Sequence, residues 1–209
     1  PLVSKKFVEG SFLMLLDRNT FFVKEKVQFM KLSNTYDIFD PETNKKIGVA
    51  REEQSGFKKF LKLFLGSAAV PTKVSLYCEE SNSKVLEIYK HFTWFRAKVS
   101  VRDAKGNDIG YFQGKLKLSL GIEFNIFNAV DINMGILKGN WKARDFKITN
   151  LNGSLLGSIT KKWFGIGKEF FTDADNYVID ISNNIEENKV KLLVLGACLA
   201  LDSVVFEAK

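Results

Sequence analysis

The sequence predicts a mainly β protein: a closed antiparallel barrel of about twelve strands around a buried, hydrophobic C-terminal α-helix, with a short amphipathic helix near residues 56–65. Three observations predict it. Runs rich in β-branched and aromatic residues recur at short, even spacing. They are separated by Asn, Asp and Gly, which tolerate the positive φ of hairpin turns. The chain ends in a run that is apolar on every side, yet short for a bilayer. A barrel of that many strands is wider than its own side chains can fill, so the run has a place to go.

In chain order, residues 3–16 are mixed and turn at 17–20. Residues 21–32 alternate loosely as a first strand, and four strand–turn–strand units follow at 36–50, 74–89, 99–112 and 146–160. The third turns at 103–106 and the fourth at 150–153. Between them, residues 121–135 and 136–143 form another pair of expected strands. Residues 55–66 break the β pattern. Phe57, Phe60, Leu61, Phe64 and Leu65 fall at i, i+3, i+4, i+7 and i+8, a helical stripe, with Lys58, Lys59 and Lys62 largely off it and Gly66 as a stop. Such a helix either plugs one end of a barrel or lays its aromatics into lipid while its lysines meet anionic headgroups.

Residues 192–201 carry no polar side chain, and after Asp202 and Ser203 the run continues to Phe206. A helix apolar all round must be buried all round. A bilayer asks for about 20 such residues. At about 1.5 Å per residue this run spans roughly 22 Å. Residues 189–206 are therefore expected to fill the barrel, with membrane insertion as the alternative. Asn183 and Glu186 have capping-box spacing, and Glu186 and Glu187 would sit in the first turn, where the helix dipole favours negative charge. Gly196, Ala197 and Cys198 remove bulk from the middle, which would let surrounding backbone come close.

The 209 residues read as a single domain, 1–209, and nineteen phenylalanines supply an ample core. A net charge of +7 suits an anionic partner: acidic lipid, nucleic acid or an acidic protein. Solvated lysines are the plainer alternative. Two cysteines fit a reducing, cytoplasmic setting, and the early apolar stretch 12–16 is short for a secretory signal. One histidine, His91, leaves little room for imidazole-bound metal or a His-based hydrolase, and a structural role is expected for it. GxSxG, HExxH, CxxC and Walker motifs are absent. Gly165 and Gly167 supply two glycines of a dinucleotide fingerprint, but Phe170 holds the third place. The chain is thus expected not to be an enzyme.

Basic residues concentrate at Lys138, Lys142, Arg144 and Lys147, and at Lys161, Lys162 and Lys168 beside Trp163, Phe164, Phe170 and Phe171. Lysines interleaved with aromatics suit a membrane surface and also single-stranded nucleic acid; lipid is favoured over nucleic acid here. The candidate lipid-binding set is Phe57, Lys58, Lys59, Phe60, Lys62, Lys161, Lys162, Trp163 and Lys168. Asp173, Asp175 and Asp180 offer hard oxygens of the kind Ca2+ uses. Against an EF-hand loop beginning at Asp173, the glycine position is Val178 and the bidentate-glutamate position is Asn184, so any Ca2+ site is expected to be weak. A polar turn entering a last strand is the alternative.

Trp163, the segment TDADN from Thr172 to Asn176, Gly196-Ala197-Cys198, Asp202 and Phe206-Glu207 occur in an order and spacing that resembles the C-terminal part of the phospholipid scramblase family. Weaker similarity runs back to about residue 36. That family is similar to the tubby C-terminal domain and the plant LURP-one-related proteins. The resemblance implies a twelve-stranded barrel around a buried helix. It also implies a lipid connection: calcium-triggered scrambling in scramblases, phosphoinositide-headgroup binding in tubby domains. The expectation is a monomer that associates with anionic phospholipid at the inner face of the membrane. The alternative is a soluble tubby-like binding or scaffold module without scramblase activity.

Overall fold

The computed structural model describes residues 15–26, 35–53, 71–91, 97–114, 122–140, 145–160, 176–185 and 187–201. Twelve strands run through them: β1 (Thr20–Lys26), β2 (Thr35–Phe39), β3 (Lys46–Glu53), β4 (Thr72–Cys78), β5 (Lys84–Lys90), β6 (Lys98–Asp103), β7 (Asp108–Gly114), β8 (Ile122–Asn128), β9 (Asn133–Asn140), β10 (Asp145–Thr149), β11 (Leu155–Thr160) and β12 (Tyr177–Ile181). Each pairs antiparallel with its sequence neighbours, and β1 pairs with β12, so the sheet closes on itself. Closure removes the open edges that a sheet this wide would otherwise expose.

Four of the five hairpin turns are built by one device. Asp40, Asp103, Asn128 and Asn150 each end a strand and turn a side-chain Oδ1 back onto backbone N–H groups two to four residues on: Glu42 and Thr43, Lys105 and Asn107, Val130 and Ile132, Asn152 and Ser154. Each hairpin also holds one residue at positive φ: Asn44, Asn82, Gly106, Asp131 and Gly153. The strand register shifts beside each turn. Asn, Asp and Gly are the residues that tolerate this geometry. The β8–β9 turn falls at residues 129–132 and not at the expected break after Gly135. Gly135 lies inside β9, where an added Cβ would stand 2.2 Å from the Thr149 carbonyl oxygen. The glycine marks a close approach of backbones, which the sequence alone presents as a turn signal.

Alternate residues point inward and stack in cross-strand rows. Phe21, Ile179, Ile159 and Phe146 form one such row, and Val74, Ile88 and Val101 another; all are buried. Inside lies the C-terminal helix α1 (Asn188–Leu201), with every residue from Leu192 to Leu201 buried. At about 1.5 Å per residue it is roughly 21 Å long. A strand of six or seven residues at about 3.3 Å each is matched to it. Gly157 on the wall makes room for it, since a Cβ there would meet Val194 Cγ1 at 2.7 Å. Gly196 does the same from the helix side, its Cβ position lying 2.9 Å from Val101 Cγ2. What approaches Gly196 is therefore a wall side chain rather than the backbone expected from the small-residue run.

The helix begins later than its capping signal. Asn183 sits in a turn and accepts from the Asn19 amide. The first helical carbonyl is that of Glu187, which accepts from Val190 N and Lys191 N. Glu187 thus stands at the cap rather than in the first turn. Lys191 Nζ donates to the Leu16 carbonyl at 3.1 Å and ties the helix start to the segment before β1. Cys78 and Cys198 are free and buried, and burial pushes the Cys198 thiol far above its ordinary range. Among the described residues no helix is long and apolar enough to cross a membrane. The amphipathic helix expected near 56–65 and residues 202–206 lie outside the described residues.

Candidate functional site

Antiparallel alternation sorts the connections into two rims. The hairpin turns β2–β3, β4–β5, β6–β7, β8–β9 and β10–β11 share one rim with the start of α1. Lys26, Glu53, Lys90, Gly114, Asn140 and Thr160 end their strands on the other. The candidate lipid-binding residues Phe57, Lys58, Lys59, Phe60 and Lys62 come after Glu53 in sequence, and Lys161, Lys162, Trp163 and Lys168 come after Thr160. These nine, with Asp173 and Asp175, lie outside the described residues.

Asp180 is described. It lies within β12, hydrogen-bonded on both sides to β1 and β11, and its Oδ1 accepts from Thr20 Oγ1 at 2.9 Å. Residues 177–181 are therefore extended strand, and a twelve-residue loop from Asp173 to Asn184 does not exist as such. Among the described residues no group of three or more His, Cys, Asp or Glu side chains is gathered for a metal.

The outer wall of β3 to β7 carries a charged and aromatic lattice. Lys73 bridges Glu53 at 3.1 Å and Glu87 at 2.8 Å, and Lys84 reaches Glu87 at 3.2 Å. Burial alone would raise the Glu87 carboxyl, but hydrogen bonds from Lys73 and Lys84 hold it below the usual carboxylate range. Glu53 is lowered in the same sense, by Ser75 and Lys73 against burial. His91 packs edge-on against Tyr89 and shares a 2.7 Å hydrogen bond with Ser100 Oγ. Burial, and then Lys98 and Arg102, lower its pKa and favour the neutral ring. Lys98 in turn rides 4.2 Å over the Tyr111 ring, which stacks on Phe127. This is a wall held by paired groups.

Of the second basic cluster, Lys138 and Lys147 are described, and the structure makes them direct cross-strand partners on β9 and β10. Sequence reasoning passed over the neighbouring turns. Among the described residues the large apolar side chains left exposed are Val130, Ile132, Leu151 and Leu155. All four belong to the β8–β9 and β10–β11 hairpins, which the β9–β10 pairing sets side by side. The signal was available by comparing hairpins position by position from the Asx residue.

The described cavities do not enclose a ligand-sized apolar chamber. A polar groove of about 630 Å³ lies between residues 17–20, the β2–β3 turn and Asn183, and a recess of about 220 Å³ opens beside the start of α1. The lumen around Ala197 and Leu201 leaves only about 10 Å³. Among the described residues, the space beside Ala197 and Leu201 has no room for an acyl chain.

Over 64 residues the chain is 41% identical to phospholipid scramblase 2 of Homo sapiens, over 30% of this chain and 21% of that protein. It is 41% identical over 64 residues to phospholipid scramblase 1 of Mus musculus, over 30% of this chain and 19% of that protein. Phospholipid scramblase family member 5 of Homo sapiens is 36% identical over 64 residues, with 30% and 23% covered. These alignments span about a fifth of each relative's length. The family model described as Scramblase matches residues 6–208, through all the strands and the helix that fills them, and the chain belongs to the scramblase family.

Proposed function

We propose that this protein is scramblase-like and associates with anionic phospholipid through a basic-aromatic surface formed by Phe57, Lys58, Lys59, Phe60, Lys62, Lys161, Lys162, Trp163 and Lys168. Family membership carries the reading. It is supported by the names of the relatives and by the net charge of +7. The common rim on which Glu53 and Thr160 end their strands supports it further. Lysines near an anionic leaflet contribute about 1 kcal/mol each. In this reading the protein works as a monomer at the cytoplasmic face, nucleic acid is not its partner, and Ca2+ acts weakly through Asp173 and Asp175 with Asp180.

Flotation with phosphatidylcholine vesicles, with and without phosphatidylserine, tests it. Binding that requires phosphatidylserine and is lost in Lys58→Glu/Lys59→Glu/Lys62→Glu supports the reading; equal flotation on both vesicles overturns it. The same assay in Ca2+ or chelator tests the cation. A second reading, a tubby-like binding module that does not move lipid, is favoured by the burial of α1. Transbilayer movement of labelled lipid in reconstituted vesicles separates the two.

A further inference from the structure

Hairpins β6–β7, β8–β9 and β10–β11 share one scaffold, so their tips can be compared residue for residue. Counting from Asp103, Asn128 and Asn150, the next position holds Ala104, Ala129 and Leu151; the one after, Lys105, Val130 and Asn152; and the fourth, Asn107, Ile132 and Ser154. The turn is satisfied by Lys105 and Asn107, so its geometry does not ask for Val130, Ile132 or Leu151. Those side chains are 70%, 58% and 62% exposed, and Leu155 is 46% exposed. Exposed apolar groups gathered on two neighbouring tips mark an interaction surface.

Two further features choose the partner. Burial and then the neighbouring Asp131 carboxylate raise the Tyr111 phenol, which places Asp131, between Val130 and Ile132, near the wall. Lys138 and Lys147 face each other across β9 and β10, and like charges directly opposite repel, which an anion between them would relieve. Lys138 makes a loose ion pair at 3.8 Å with Glu123, its cross-strand partner on β8, and its side chain stays 61% exposed. In register, Leu155 is level with Thr149, two residues from Lys147. The lysine is therefore about 7 Å behind the apolar rim along the strand. Interfacial elements sink about 5–10 Å into the headgroup and acyl boundary, so tips at that depth bring the lysines to headgroup phosphates. The carboxylates of Glu42, Glu79 and Glu80 belong to the β2–β5 side of this rim, away from β8–β11, whereas Asp108 and Glu187 line the recess beside Val130.

We propose that the β8–β9 and β10–β11 hairpin tips form a membrane-docking edge, in which Val130, Ile132, Leu151 and Leu155 enter an anionic phospholipid leaflet and Lys138 and Lys147 meet its phosphates. This rests on the reading that the protein binds anionic lipid, but names residues on the rim opposite the strand ends at Glu53 and Thr160. Two separate convex tips suit a fluid surface that closes around each, whereas a rigid partner would need a matching pair of holes.

Flotation of the full chain on phosphatidylcholine–phosphatidylserine vesicles tests it. Ile132→Asn/Leu151→Asn lowers vesicle partitioning about tenfold or more. Lys138→Gln/Lys147→Gln removes about thirtyfold of the preference for phosphatidylserine. Ile132→Cys labelled with an environment-sensitive dye shifts to the blue on these vesicles, Cys78 and Cys198 being buried. Tip variants that float like the unaltered protein overturn the docking edge and leave the lipid reading standing if Lys58→Glu/Lys59→Glu/Lys62→Glu still fails. An unaltered chain that does not float overturns both. A dimer in light scattering that Leu151→Asn dissociates, without any dye shift, overturns it in favour of self-association.

Discussion

Leu195 sits at the middle of α1 with 0% exposure, and Leu195→Ala is the sharpest probe of what the helix does. Leu-to-Ala in a packed core costs about 2–5 kcal/mol, the higher end where the surroundings cannot collapse. A closed barrel collapses poorly, because its wall is held at fixed radius by hydrogen bonds on both sides of every strand. For a chain of this size each kcal/mol moves Tm by about 2–4 °C, so a drop of roughly 4–20 °C is expected. The larger deletion follows the same arithmetic. Ending the chain after Glu187 removes five buried leucines and Val194. At about 1.5–3 kcal/mol each, that is roughly 9–18 kcal/mol, an upper bound that matches or exceeds a whole domain's stability. Thermal unfolding followed by circular dichroism measures the first, and yield of folded protein the second. Val130→Ala, on an exposed tip, is the control and should change little. A Leu195→Ala protein that melts with the unaltered chain, or a truncated chain that keeps a cooperative β transition, would falsify the placement of α1 in the lumen.

Two further predictions concern the same interior and its wall. Gly196→Ala gains up to about 1 kcal/mol of helix propensity. Its new methyl meets Val101 Cγ2 at 2.9 Å and Cγ1 at 3.0 Å, and such overpacking costs about 1–3 kcal/mol against a stiff β-branched neighbour. The variant should be less stable, and Val101→Ala should cost less in the Gly196→Ala background than alone, as a double-mutant cycle by urea unfolding would measure; additive effects would contradict the contact. The second concerns pH. Folding lowers the His91 pKa from its ordinary 6.5, so the native state favours the neutral ring. That contribution is full above pH 6.5 and lost as pH falls below it. Glu53 and Glu87 are lowered from 4.5, and Asp40 and Asp103 from 3.8, so their contribution is full above those values and lost as pH falls through the folded ones. Urea midpoints should therefore decline in two steps on acidification, and His91→Gln should abolish the first and keep the second. Persistence of the first step in that variant would show that another group carries it, since His91 is the sole histidine.

How much of this was legible depended on whether a residue's meaning was local. The hairpins were, because Asp103 with Gly106 and Asn150 with Gly153 are turn chemistry within four residues. The buried helix was, because ten successive residues without a polar group admit few surroundings. Gly135 was not: its reason is the Thr149 carbonyl, on another strand. Nor was the helix start, because Asn183 is drawn off by Asn19, 164 residues away. Asp180 reads in sequence only as the companion of Asp173 and Asp175, and strand pairing is what brings its Oδ1 to Thr20, 160 residues earlier. Lys138 and Lys147 looked like a linear basic run, and only register makes them opposed charges. The exposed tips needed a comparison between hairpins, which composition cannot supply.

The placement of α1 also constrains how a member of this family could handle lipid. Moved into a bilayer, α1 itself would lose little, since acyl chains are as apolar as the residues around it. The loss would fall on the wall it left. Phe21, Ile88, Val101, Phe112, Phe146 and Ile179 would face a lumen wider than side chains can fill. The fourteen described residues of α1, about 21 Å, would also fall short of the ~30 Å hydrocarbon layer. Extraction thus destroys the barrel without producing a comfortable span. A lumen left with about 10 Å³ beside Ala197 and Leu201 admits no acyl chain either. In the proposed reading the folded barrel meets lipid from its outer surface with α1 in place, so surface substitutions such as Ile132→Asn, and not helix substitutions, are the ones that should alter membrane behaviour without altering stability.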